Sequence, residues 1–383
     1  YDDTLALSAV ATTGVQSEDV GDYTLPPSAQ WLTVDDDRLI MGGNWENQQQ
    51  SARVSWTPLQ SQVGVGNDER IAVDQGSFID FDTLDGGGLT GIKAWEGKVI
   101  VFKRQQVHQM IRSASLTRAY LPDTLSRRHG AIPFSIVEGT DVDGLSCLYF
   151  LDPDVGPMQL GVQGLRVLCP QMQRTWKARI NLNASQVCSA TYHPDKRQVW
   201  WHVALDGQQT PWLRWMYSVE SDGLVFHTMP NPVRAAARFN LKPHLLIDAP
   251  ASGGPIILQA DDYTSQTDYG TNYRAYIRTK AYQFGVMVRR FQIDSAILEV
   301  EPMPPTDLTV TCVRDFGVEV RPIATVMAGA LPYAILPIDN AYLAEALAMQ
   351  FEIGDTVARA VGPWQVHGFT ATYTLGSPST GRG

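Results

Sequence analysis

The sequence predicts an all-β protein: a β-propeller of about six blades, with a longer-stranded, sandwich-like C-terminal part. Three observations lead there. Apolar residues recur with period 2 in short segments bounded by Asp, Gly or Pro. Roughly 23 such segments can be counted, which four-stranded blades would take up as about six. A helical pattern is confined to Ala341 to Gln350, and that stretch reads equally well as a strand leading into Phe351-Glu352-Ile353. No WD, kelch or Asp-box repeat supports the propeller. The rival fold is a pair of β-sandwiches divided near Asp261 to Tyr273, a polar stretch rich in Ser, Thr, Gly and Asn.

In chain order, Arg38 to Met41 and Ala52 to Trp56 are short strands separated by the polar run Gly43 to Ser51. Gly91 to Trp95 and Lys98 to Lys103 follow, joined by Glu96-Gly97, a two-residue hairpin signal. Val99, Val101 and Val107 have the β-branching that strands favour. Cys147 to Leu151, Gln186 to Tyr192, Gln198 to Ala204 and Trp212 to Val219 continue the pattern, with a turn at His193-Pro194-Asp195-Lys196. Longer alternating runs occupy Phe291 to Val300, Thr306 to Val313 and Trp364 to Leu375. The link Glu301 to Pro305 carries three prolines, which bars it from an inner strand. The expected organisation is an N-terminal arm over 1–30, propeller-like blades over 31–262, a C-terminal β region over 263–375 and a flexible tail over 376–383.

The 383 residues are 44% hydrophobic and 18% charged, a globular composition able to bury a sizeable core. The net charge of -10, from 40 acidic and 30 basic residues, argues against a free-standing nucleic-acid binder. Cys147, Cys169, Cys188 and Cys312 are too far apart for CxxC metal or redox chemistry and read as buried, reduced thiols of a reducing cytosol. No apolar run is long enough to span a bilayer, and no signal peptide is visible. Because the chain begins at Tyr1 rather than Met, a further N-terminal piece is expected.

Motifs for chemistry are sparse. Asp141-Val-Asp143-Gly144 and Asp152-Pro-Asp154-Val-Gly156 each hold two carboxylates and a glycine, but lack the further ligands of a calcium loop and read as turns. The seven histidines form no HxH or HxxxH pair. No GxSxG elbow is present, and Gly86-Gly87-Gly88 precedes a strand rather than the helix a phosphate cradle needs. Trp200 and Trp201 are adjacent in a strand, so they face opposite sides; they are candidate interface aromatics, with packing between blades the favoured role.

The segments Asp37-Arg38-Leu39-Ile40-Met41, Arg53-Val54-Ser55-Trp56-Thr57, Leu89-Thr90-Gly91-Ile92, Val99-Ile100-Val101-Phe102-Lys103 and Val107-His108-Gln109-Met110-Ile111 occur in that order. Together they resemble phage tail propellers: tubular tail protein B, the nozzle of short-tailed phages, and its looser relatives in phage necks and tails. Ser-Trp-Thr stands where that pattern has Trp-Ser. Cys147 to Gly161, Leu347 to Ile353 and Trp364 to Gly368 are similar to later parts of the family, so the resemblance covers most of residues 35 to 375.

That resemblance implies a structural component of a bacteriophage virion tail or neck, assembled in the host cytoplasm, with no catalytic residue, metal or cofactor. It implies a homo-oligomeric ring, by analogy a hexamer, that meets an adaptor or portal-side ring and tail fibre proteins, passes genomic DNA without reading it and touches no membrane. The loops holding Asp35, Asp36, Asp37, Asp261 and Asp262 are the candidate lumen carboxylates of a mostly acidic or neutral channel, because cations there would brake the passing phosphates. The alternative reading is a carbohydrate-binding or glycoside-cleaving propeller of a receptor-binding module.

Overall fold

A computed structural model describes residues 23–24, 28–57, 71–72, 78–81, 87–113, 119–229, 231–249, 254–260, 276–278, 291–302, 308–314, 319–326, 333–336, 349–354 and 364–375. The chain forms two compact units, Tyr1–Asp261 and Asp262–Gly383.

The first unit is a β-propeller. Blade 1 is Ala29–Asp35, Arg38–Asn44, Arg53–Trp56 and Phe78–Asp80. Blade 2 is Leu89–Trp95, Lys98–Lys103, Val107–Arg112 and Tyr120–Ser126. Blade 3 is Val137–Thr140, Ser146–Asp152, Gly156–Gly161 and Gly164–Val167. Blade 4 is Ser189–His193, Gln198–Val203, Leu213–Ser218 and Gly223–Thr228. Blade 5 shows three strands among the described residues, Val233–Phe239, Lys242–Ala249 and Gly254–Gln259. Each blade is an antiparallel meander, and the first strand of every blade, or in blade 3 the segment leading into it, borders one shared axial cavity. A separate short pairing joins Tyr23–Thr24 to Ile71–Ala72.

Hairpin chemistry sets the register. Asp36-Asp37, Glu96-Gly97 and Asn240-Leu241 each put two successive residues at positive φ, between 47° and 69°. That is the twist a two-residue hairpin requires, and it pairs Asp35 with Arg38, Trp95 with Lys98 and Phe239 with Lys242.

A blade has neighbours on both faces, so its middle strands are apolar throughout rather than alternating with polar residues. Val99 and Val101 pack with Ile40, Val54 and Trp56 of blade 1. Ile100 and Phe102, one residue along, pack with Leu148 and Phe150 of blade 3. Blade 3 repeats the device: Cys147, Tyr149 and Leu151 turn the other way, onto Val199, Trp201 and Val203 of blade 4. At the axis the innermost strands converge, and Gly139 of blade 3 lies so close to blade 4 that a Cβ there would sit 2.7 Å from the Tyr192 ring.

Between blades 3 and 4 runs the short helix Gln173–Arg179, followed by the 3-10 segment Leu182–Val187. The sequence reading expected a strand from Gln186; the strand begins at Ser189 instead. The helix is anchored by Trp176, fully buried, whose indole donates to the carbonyls of Asp152 and Pro153 at 3.0 and 3.2 Å and meets Trp215 edge-on. One buried residue in seven leaves no periodic stripe for the sequence to show.

The second unit has two antiparallel sheets among the described residues. One runs in the order Tyr276–Arg278, Met349–Gly354, Leu308–Arg314, Glu319–Val326; the other is Tyr333–Leu336, Phe291–Pro302, Trp364–Leu375. These strands form sheets of their own, so the described blades number five rather than the roughly six counted from strand candidates. Met349-Gln350 opens a strand, while the rest of the helix candidate Ala341 to Gln350 lies outside the described residues, as do 303–307 and 376–383. Pro302 ends its strand and pairs on one side, with Trp364.

Candidate functional site in the cleft between blades 3 and 4

Of the carboxylates expected to line a lumen, one is enclosed by the fold. Asp35 is buried and joins blade 1 to blade 2: Arg112 donates to both its oxygens at 2.6 and 3.0 Å, and the Tyr120 hydroxyl donates at 2.9 Å. Burial alone would raise the Asp35 pKa, but the bonds from Arg112 and Tyr120 outweigh it and hold the carboxyl below its ordinary value. Asp35 is therefore a structural anion, not a channel wall. Asp36 and Asp37 form the exposed hairpin turn, with Asp36 3.3 Å from Arg112. Asp261 and Asp262 lie outside the described residues.

Trp200 and Trp201 do face opposite sides, and both are buried. Trp201 donates to the Ser135 carbonyl at 2.9 Å within the core shared by blades 3 and 4. Trp200 lies under the Arg214 guanidinium, 4.3 Å from the ring centre, and against the His193 ring. Their role is packing rather than a free surface.

Three hairpins instead enclose a cleft of about 670 Å³ between blades 3 and 4: Asp141 to Leu145 and Gly161 to Gly164 from blade 3, and Val219 to Asp222 from blade 4. Tyr149, Gln159 and Tyr217 line its base. The sequence sets the first loop locally. Asp141 Oδ1 accepts from the amides of Asp143 and Leu145 at 3.0 and 2.8 Å, and Gly144 supplies a φ of +82°. The turn expected at Asp152 has the same design, with Oδ1 accepting from Asp154 and Val155.

Charge in the cleft is fixed by partners. Asp222 accepts from the Tyr217 hydroxyl and from Arg166 of blade 3, both at 2.7 Å, so one ion pair closes the blade junction. Burial first, and the Asp222 anion second, push the Tyr217 pKa upward. Tyr149 donates to the Thr140 carbonyl at 2.9 Å, and burial raises its pKa as well. Arg197 donates to the Asp141 carbonyl and approaches Glu220 at 4.0 Å. The cleft thus offers carboxylate acceptors from two blades, a guanidinium, an amide and two tyrosines. Among the described residues no group of three or more His, Cys, Asp or Glu could hold a metal.

Sequence reading singled out Asp141 and Asp143 as turn residues and placed Tyr217 within the strand Trp212 to Val219, but gave no role to Gln159, Arg166 or Asp222. Arg166 and Asp222 are 56 residues apart, and no local spacing signals their pairing.

No family model matches the chain, and no curated protein matches it. Among solved structures it is similar to an exo-β-1,3-galactanase from Phanerochaete chrysosporium, at 8% identity, covering 92% of this chain and 96% of that one with a TM-score of 0.31. A luciferin-regenerating enzyme matches at 9% identity over 88% of this chain and 94% of that one, TM-score 0.31. A bifunctional GH43-CE protein of Bacteroides eggerthii matches at 8% identity over 93% and 63%, TM-score 0.30.

The reading as a virion tail or neck nozzle without enzymatic activity is withdrawn: no family model, of a phage tail or otherwise, matches the chain. The physical reason is visible in the segments that carried the resemblance. Leu39 to Met41, Val54 to Trp56, Val99 to Phe102 and Val107 to Met110 are core strands of blades 1 and 2, and Asp37-Arg38 is a hairpin end. Any antiparallel blade needs such residues. The hexameric ring, the adaptor and fibre partners and the passing DNA rested on that resemblance alone.

Proposed function

We propose that the chain binds a saccharide in the cleft between blades 3 and 4. The observation that carries this reading is the cleft's composition: carboxylates from two blades over a base of tyrosine and glutamine. Polyhydroxyl ligands are held by planar acceptors that take their O–H groups, by guanidinium donors, and by ring faces that cover their C–H surfaces. Asp222, oriented by Arg166 and Tyr217, is the acceptor whose geometry is best fixed. Carboxylates supplied from two sides of a cleft are also what glycoside cleavage draws on, so hydrolysis is assayed alongside binding.

The test is a glycan microarray with the full chain, followed by calorimetry on whatever is retained. Asp222→Asn keeps a residue that tolerates the left-handed backbone but removes the charge; it should weaken binding by about tenfold, near 1.4 kcal/mol. Asp206→Asn, in an exposed pair with Arg179 outside the cleft, should leave binding unchanged. Retention of no glycan, or equal binding by Asp222→Asn, contradicts the reading.

A further inference from the structure

The axial cavity, about 490 Å³, is a second space whose lining differs in kind from the cleft. All five innermost strands or their approaches contribute to it, and small residues such as Ala190, Ala235 and Ala236 line it. Its ionisable lining is cationic: Lys93 from blade 2 and Arg234 from blade 5, with no aspartate or glutamate among the described lining residues. Asp248 takes one edge of the Arg234 guanidinium, through Nε and Nη2 at 2.8 and 2.7 Å, and a guanidinium has a further edge with which to meet a ligand. Lys93 is held only loosely, 3.9 Å from Glu138, with both side chains substantially exposed.

An aromatic pair stands in the same lining. Phe134 lies against Trp31, ring centres 4.8 Å apart, and Trp31 is itself fixed by donating to the Leu89 carbonyl at 3.1 Å. Phe134 has a φ of +60°, where a bulky side chain is an outlier and Gly or Asn is the ordinary occupant. The turn is held from its next residue. The Ser135 amide and hydroxyl donate to the Ile132 carbonyl at 3.3 and 2.6 Å, the hydroxyl accepts from the Leu151 amide, and the Ser135 carbonyl accepts from Trp201. The core therefore imposes a strained conformation on a phenylalanine whose side chain it does not bury, since Phe134 stays 45% exposed. Strain over-determined by its surroundings and spent on an exposed aromatic is a mark of a ligand clamp.

We propose that the axial cavity binds a small ligand carrying a carboxylate on a six-membered ring, the ring against Phe134 and Trp31 and the carboxylate toward Arg234 and Lys93. The shared chemistry fits an aromatic acid or an acidic sugar, and the test separates the two. Benzoate and glucuronate are titrated calorimetrically into the full chain, with benzyl alcohol and glucose as neutral counterparts. At least one anion should bind, about tenfold or more tighter than its neutral counterpart, and Arg234→Gln should remove that difference. Phe134→Gly, which suits the positive φ, should lower affinity about tenfold while leaving the melting temperature unchanged or raised. Glucuronate binding alone would identify an acidic sugar, benzoate alone an aromatic acid. The proposal is overturned if neither anion binds at millimolar concentration, if Arg234→Gln binds as the parent does, or if Phe134→Gly keeps full affinity. Asp222→Asn should leave this binding intact, which makes its failure distinguishable from failure of the cleft reading.

Discussion

At the residue scale, buried charge in this protein joins blades rather than lining a passage. Asp35 takes three hydrogen bonds from blade 2, and Arg112, its main partner, keeps solvent contact. Charge-assisted bonds of this kind contribute about 1.5–3 kcal/mol each in favourable settings, reduced where one partner is exposed. Asp35→Ala should therefore lower unfolding free energy by about 2 kcal/mol, measured by urea denaturation. Because the folded pKa of Asp35 lies below its ordinary value, its contribution is present above about pH 4 and is lost as pH falls through the folded value. His202 shifts stability with pH in the same direction, from a different cause. It is fully buried; burial first, then Arg214 and His227, hold it well below 6.5. Arg214 donates to its Nε2 at 3.2 Å, so Nδ1 carries the proton beside the Ser189 hydroxyl. The unfolded chain takes up a proton there that the folded one refuses, so stability falls as pH drops below about 6.5, by up to about 1.4 kcal/mol per pH unit. Unfolding titrations from pH 7 to pH 5 should show that slope in the parent and a shallower one in His202→Gln. The sequence revealed neither role: Asp35 sat in a loop run of three aspartates read as lumen carboxylates, and its partners are 77 and 85 residues away.

At the scale of the element, much was legible because the signals are local. Glu96-Gly97 predicted a hairpin and makes one. Trp200 and Trp201 had to face opposite sides in any strand, and the blade stacking buries both. Trp201→Ala should cost about 3–5 kcal/mol, since it empties the core between blades 3 and 4 and removes a bonded indole. Trp45→Ala, at a residue 73% exposed, should change stability by less than about 0.5 kcal/mol in the same denaturation experiment. The helix Gln173–Arg179 escaped notice because one tryptophan holds it, through bonds to carbonyls more than twenty residues away.

At the scale of the whole molecule, the strand count pointed to a propeller, but could not say which strands close into blades. Five blades surround one cavity, and the long strands from Phe291 onward pair among themselves instead. The cleft between blades 3 and 4 is a product of that stacking: its carboxylates come from hairpin tips that the sequence could read only as turns. Saccharide binding there is the central claim, and calorimetric titration of a microarray-selected glycan against three proteins tests it most directly: the parent, a cleft variant (Arg166→Ala with Asp222→Asn) and an axial variant (Phe134→Gly). The account predicts binding by the parent and the axial variant, and affinity at least about tenfold weaker in the cleft variant. Undiminished binding by the cleft variant would contradict it.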